Sequence, residues 1–470
     1  MMNVYWIRND LRRIDNPALF YACESQRGVI AVVTLTPKQW EMHVESPAKI
    51  ALWRDRLMEL KDELAQLNIP LRVLQLGTFQ DVPKALQHFV TSVGATKLFF
   101  NYEYPLNERS RDKAVCDELK AVGVECLGFH GELIVRPGQV LTGQGTPFKV
   151  FTPYSRAWRQ HLLNNLTPAL AIPAIQPLCS MPSDVLPVDL GLNALTNNEQ
   201  VYNAHLWPVT TADIHQRLNR FIDEQEADYK ALRDFPFKDK TSKLSPYLVL
   251  GAVSPRQCLA ALMSHYSSDA WLDSTWLNEL IWREFYRHML VAFPEQSKGY
   301  PFRPEVEEKI QWQFDEKLFK AWCQGETGYP IVDAAMKQLL STGWMHNRLR
   351  MVVASFLTKL LRIDWRKGAD FFMSKLIDGD FASNQGGWQW SASVGADAAP
   401  YFRIFNPQLQ SEKFDASGEF IAFWLPELRQ LPAKQRHLPG AGQSLGRPAP
   451  IVDYKKARQS TLDAYQSHVK

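Results

Sequence analysis

The sequence predicts a parallel α/β sheet followed by an all-helical second half, and three observations carry that expectation. Short apolar runs alternate with amphipathic stretches through residues 1–130. A Pro-, Gly- and Leu-rich tract with weak periodicity then continues to about residue 205. From 206 onward apolar positions recur at helical spacing almost throughout. At 470 residues the chain exceeds what one core usually serves. The expected organisation is an α/β domain at 1–130, a long connecting loop at 131–205 and a helical domain at 206–470.

Five runs read as strands: 3–7 (NVYWI), 29–35 (VIAVVTL), 71–76 (LRVLQL), 97–102 (KLFFNY) and 124–129 (VECLGF). Helical stretches near 17–26, 47–67, 79–93 and 106–122 stand between them. Alternation at this spacing implies a parallel five-stranded sheet with right-handed crossovers. After the first strand comes RNDLRRIDNPAL, with neither a GxGxxG fingerprint nor a Walker pattern. A nicotinamide dehydrogenase and a P-loop ATPase are therefore disfavoured. Further on, Ser254 and Pro255 read as the cap and first residue of a helix. Another helix opens at Asp273, and a third runs from Pro330 to a capping Gly343.

The net charge of +3 permits nucleic-acid binding without arguing for it. Residues 1–130 carry 16 basic and 16 acidic side chains, so the excess lies downstream and polyanion binding needs a local patch. The six cysteines (23, 116, 126, 179, 258, 323) show no metal-ligand spacing, so no metal site is expected. Unpaired thiols, no signal peptide and no apolar run of about 18 residues point to a cytoplasmic protein without a membrane span. The 15 Trp equal the 15 Tyr, an unusual abundance.

The stretch from Gly343 to Trp390 gathers acids, amides, arginines and tryptophans, a mixture too costly to bury without partners. Trp276, Glu279, Trp282 and Arg283 share a stripe on one helix, as an internal ion pair or as the wall of a pocket for a flat ligand. Asn347, Arg350 and Met351 share a face that continues into apolar Ala354, Leu357 and Leu361; Arg348 points off that face, toward solvent or a phosphate. Asp378 and Asp380 lack the further oxygen ligands of a calcium loop and better suit ring or ribose hydrogens, one of them paired to an arginine. Thr241 to Ser245 (TSKLS) reads as a helix cap or a pyrophosphate cradle.

WIRNDLRRIDNPAL, WLNELIWREFYRH, GYPIVDAAMKQLLSTGWMHNRLRM and LIDGDFASNQGGWQWSASVGADAAPYFRIFNPQLQSEKFD resemble the photolyase/cryptochrome family nearly end to end. Within it the chain is most similar to bacterial class I cyclobutane pyrimidine dimer photolyases. The resemblance implies a bent FAD in the helical domain, active when reduced, which under light donates an electron to a cyclobutane dimer in UV-damaged DNA and then recovers it. It implies a carbon–carbon lyase, monomeric and needing no protein partner, on nucleoid DNA. Tyr229, Thr241, Ser242, Lys243, Leu244 and Ser245 match phosphate-side contacts to FAD; many relatives carry Arg at Lys243, so altered phosphate geometry is expected. Trp276, Glu279, Arg283, Asn347 and Arg350 match the pocket wall, and Asp378 and Asp380 the residues that hold ribityl and ring.

By the same resemblance Asn384 faces the flavin and Glu279 stabilises charge on the dimer; these are the expected catalytic residues. Trp282 and Trp390 match aromatic walls of the lesion site. Arg233, Glu279, Arg283, Asn347, Arg348, Met351 and Gln410 match contacts to dimer and DNA, with the lesion flipped out of the helix. Trp388, Trp365 and Trp312 match an electron-transfer chain. His43, Asn107, Glu108 and Lys298 match the site of a methenyltetrahydrofolate antenna, although Ser297 stands where relatives can have Cys and a deazaflavin stays open. The alternatives are a signalling cryptochrome and a (6-4) or single-strand-preferring photolyase. Asn384, Glu279 and Met351, and the absence of a long tail after FIAFWLPELR, favour dimer repair.

Overall fold

The computed structural model describes residues 2–192 and 201–466. Residues 193–200 of the expected connecting loop and 467–470 of the helical domain therefore lie outside the described residues. The backbone divides into two compact units, Met1–Glu224 with Ser242–Pro294, and Gln225–Thr241 with Glu295–Lys470.

In the first unit, β1 (Asn3–Ile7), β2 (Val29–Leu35), β3 (Leu71–Gln75), β4 (Lys97–Asn101) and β5 (Glu125–Phe129) form one sheet in the order β3-β2-β1-β4-β5. Every neighbouring pair is parallel. All five expected strands are present within one residue at each end. β1 is buried along its whole length and β2 at all but one position, as befits a parallel sheet covered on both faces. Val4, Trp6, Ile30 and Val32 pack with Leu86 and Val115 of the flanking helices. The turn after β1 dispenses with glycines because side chains satisfy its backbone. Arg8 N donates to Asp10 Oδ1 at 2.9 Å, and Asp10 Oδ2 accepts from Tyr5 at 2.7 Å and Asn101 at 2.6 Å.

The same unit holds a helix the sequence did not announce, Phe151–Asn164. Its buried side chains Phe151, Tyr154, Ser155, Trp158 and Leu162 keep helical spacing, but Gly- and Pro-rich flanks mask so short a period. Ser254 caps Pro255–His265 through a full capping box. The helix expected to open at Asp273 spans Thr275–Ala292 instead. Ser274 caps it, accepting from Trp276 N and Leu277 N, while Asp273 ends a separate 3₁₀ turn.

In the second unit, Pro330–Thr342 ends at Gly343, whose φ of 69° is the left-handed conformation that glycine tolerates best. Asn347–Ser355 runs into a π turn at Phe356–Leu360, and Leu357 and Leu361 are buried there. Trp365–Met373 and Phe381–Ala392 follow. Trp322, Met336, Leu349, Val353, Trp365 and Trp388 belong to one core. No helix among the described residues is long and apolar enough to cross a membrane.

Candidate functional site

The strand order reverses between β1 and β4, and ligands of open α/β sheets favour the carboxyl ends of strands at such a point. A cleft lies there in the first unit, with about 640 Å³ of empty space including its mouth. Its lining includes Arg8 and Asn9 after β1, Glu103 after β4, and Trp40, His43, Trp53, Phe79, Glu108 and Arg111 from helices and loops. His43 Nε2 lies 3.0 Å from the Asn107 amide nitrogen and 2.9 Å from that of Gln39. Two amide donors on Nε2 assign the proton to Nδ1, which faces Glu108 Oε1 at 3.6 Å. Burial lowers the His43 pKa, keeping the ring neutral. Burial pushes the Glu108 carboxyl up to about 7, with the Glu103 charge adding and Arg111 opposing.

Arg8 Nε and Glu108 Oε2 are buried there without a hydrogen-bond partner. Those two groups, beside indole and phenyl faces, fit a flat ligand with donors and acceptors on its rim. Of the expected antenna residues, His43, Asn107 and Glu108 come together. Lys298 belongs to the second unit, where it is exposed and paired with Glu295 at 2.9 Å. Sequence reasoning missed Arg8, Trp40, Trp53 and Arg111; the carboxyl ends of β1 and β4 were the signal that could have found Arg8.

Ser242, Lys243, Leu244 and Ser245 also lie in the first unit. Lys243 has φ of 49°, and Leu244 follows at φ −89° and ψ −7°. Such an opposite-handed pair turns consecutive amides to one side and makes a concavity for an anion. On the Thr275–Ala292 helix Trp276 is buried against Phe221, ring centroids 5.0 Å apart, and Glu279 is half-buried. Arg283 donates to Glu132 O and Oε1, both at 2.8 Å, and Arg287 bonds the same carboxylate. Arg283 is thus a brace between this helix and the loop after β5. Trp282 lies flat on Phe151, centroids 3.7 Å apart and planes 5° from parallel, so one of its faces is already covered. Phe151 and Glu132 carried no sequence motif.

In the second unit Arg350 Nη2 bonds both oxygens of Asp378 at 2.9 and 2.7 Å, so Asp378 is the carboxylate paired with arginine. Arg350 Nε also donates to Met345 O at 2.8 Å. Asp380 caps Phe381–Ala392, accepting from Ser383 N at 2.7 Å. The Asn384 amide donates to Ala369 O at 3.0 Å, which fixes its plane and leaves Oδ1 to accept from another group. Tyr229 is buried, with the Arg233 guanidinium 5.7 Å from its ring centroid, and Thr241 is half-buried. Asn347 is exposed; Met351, Trp390 and Gln410 are half-buried. Arg348 is neither free nor solvated, since it bonds Asp234 at 2.8 Å and lies 4.6 Å from the Phe414 centroid.

The three expected electron-transfer tryptophans also belong to the second unit. Trp388 and Trp365 are buried and Trp312 half-buried. Trp388 packs directly over Gly368, where a Cβ would come within 2.2 Å of its ring, and so reaches the helix that begins at Trp365. In the first unit the amide concavity suits an anion such as a pyrophosphate, and in the second the oriented carboxylates and the fixed Asn384 amide suit a ligand with hydrogen-bonding groups.

Residues 276–467 match the family model of the FAD binding domain of DNA photolyase, and residues 3–175 that of DNA photolyase. The chain is 44% identical over 473 residues to the deoxyribodipyrimidine photo-lyase of Salmonella typhimurium, covering 99% of this chain and 98% of that one. A bacterial class III photolyase from Agrobacterium tumefaciens superposes with TM-score 0.83 at 34% identity, over 99% of this chain and 97% of that one. An archaeal photolyase from Sulfolobus tokodaii, solved with two FAD molecules, gives TM-score 0.82 at 29% identity, over 99% and 100%.

Proposed function

The chain belongs to the DNA photolyase family, and from that membership we infer its activity: light-dependent repair of cyclobutane pyrimidine dimers in DNA, a carbon–carbon lyase reaction. The observation that carries this is 44% identity to a deoxyribodipyrimidine photo-lyase over nearly the whole of both chains. FAD is the cofactor, and when bound and reduced it supplies, under light, the electron that opens the dimer.

The roles of individual side chains follow as our own reading. Lys243 and the amides of Ser242 to Ser245 hold the pyrophosphate, and Tyr229 and Thr241 are further contacts to FAD. Arg350 neutralises Asp378 and orients its oxygens, so that Asp378 and Asp380 accept hydrogens from the ribityl chain and ring. Asn384 offers its amide oxygen to the flavin edge. Trp276, Arg283 and Asn347 also serve FAD. Glu279 meets the carbonyl edge of the flipped dimer and stabilises the charge it acquires. Trp282, backed by Phe151, and Trp390 stack on the extruded bases; stacking of this kind contributes about 1–3 kcal/mol per base. Arg233, Arg348, Met351 and Gln410 contact the lesion and its flanking backbone. Trp388, Trp365 and Trp312 carry electrons inward. The cleft around His43, Asn107 and Glu108 holds an antenna, which we take to be methenyltetrahydrofolate. The protein acts as a monomer on DNA in the cytoplasm.

The test is dimer loss from a UV-irradiated oligonucleotide incubated with reduced protein. Blue light removes dimers and darkness does not. Persistence of dimers under light, while a (6-4) photoproduct disappears, moves the assignment to the alternative lesion.

A further inference from the structure

Glu307 ends the short helix Pro304–Glu307, and no sequence motif marked it. Its Oε1 accepts from the indole nitrogen of Trp365 at 2.9 Å and from that of Trp312 at 3.3 Å. The two nitrogens are therefore no farther apart than the sum of those bonds. Arg366 grips the same carboxylate with two parallel bonds, Nη1 to Oε1 at 2.9 Å and Nη2 to Oε2 at 2.8 Å. Arg366 is itself held by Asp364 at 3.1 Å. Burial works to raise the Glu307 pKa, but the bonds from Arg366, Trp365 and Trp312 prevail and hold it below the ordinary carboxyl value. The group is thus an anion fixed in place.

The electrostatics of the two indoles differ. The Arg366 guanidinium carbon lies 4.6 Å from the centroid of Trp365, and a cation over a ring face opposes the loss of an electron from that ring. Among the described residues no cationic side chain lies over Trp312. Both indoles share the carboxylate at their N–H, where a negative charge favours electron loss. The balance tilts outward, to Trp312.

We propose that Glu307 is a positioning residue that ties the two outer tryptophans together through one carboxylate and draws an electron vacancy out to Trp312. The proposal rests on the reading of Trp388, Trp365 and Trp312 as a chain. One electron leaves Trp388 for the photoexcited flavin; Trp365 refills Trp388, and Trp312 refills Trp365. The vacancy ends on Trp312, whose N–H points to Glu307, and an added thiol finally returns one electron.

Two measurements test this. In flavin-free protein with isotope-labelled tryptophan, Glu307→Gln moves the indole N–H resonances of Trp312 and Trp365 together and leaves that of Trp388 in place. A shift of one alone, or of neither, overturns the shared bond. In flavin-loaded protein after a blue pulse without thiol, Glu307→Gln shortens the lifetime of the indole radical about tenfold, the scale of a lost charge-assisted bond. Glu307→Asp, which keeps the charge on a shorter arm, lies closer to wild type than Glu307→Gln does. Gln matches Glu in shape and Asp does not, so a role in packing alone reverses that order and overturns the proposal, as do equal lifetimes. Wild-type protein that forms no indole radical removes the underlying chain instead.

Discussion

Glu108 shows how a single burial decides chemistry. Its carboxyl titrates near 7 in the folded protein because burial and the Glu103 charge disfavour the anion. Between the ordinary carboxyl range and about pH 7 the folded chain keeps a proton that the unfolded chain has released, so stability falls as pH rises through that window. In chromophore-free protein, Glu108→Gln should raise the melting temperature at about pH 8, by the equivalent of roughly 1–3 kcal/mol, and the difference should vanish below about pH 4. Thermal melts of both proteins across that range check the sign. Beside it, His43 is neutral and its Nε2 is engaged by Asn107 and Gln39. His43→Ala should lower the amount of antenna chromophore released on denaturation, measured against FAD in the same sample. Unchanged antenna content would remove His43 from that site.

At the scale of elements, the helices of the second unit approach closely because one residue lacks a side chain. Gly368 lets Trp388 lie against Trp365–Met373; a Cβ there would fall 2.2 Å from the Trp388 ring and 2.7 Å from Leu357. Both neighbours are buried and cannot swing aside. Gly368→Ala should therefore cost about 1–3 kcal/mol by overpacking, read as a lower denaturant midpoint with unchanged slope. A variant as stable as wild type would mean that the contact yields without strain. The Thr275–Ala292 helix shows the reverse case, an element whose position was legible and whose bracing was not. Its polar stripe read as an ion pair or a pocket wall, and nothing in it announced that Arg283 and Arg287 converge on Glu132 from another segment.

Across the whole molecule, what the sequence disclosed tracks periodicity. The strands were legible because buried parallel strands are continuous apolar runs, and Pro330–Thr342 because proline opens it and glycine ends it. Phe151–Asn164 was not, since its helical stripe is short and set in a tract of turn residues. Residues inside long motifs could be named as site candidates through family resemblance. Glu307, Phe151, Glu132 and Arg8 were not, because their roles depend on segments distant in sequence meeting in space. The claim on which the rest depends is that this chain holds FAD. The most direct test is the chromophore content of the purified protein, by absorption and then by release on denaturation. The account predicts a yellow or blue protein that releases FAD in close to equimolar amount. A colourless protein that takes up no FAD on reconstitution would contradict it.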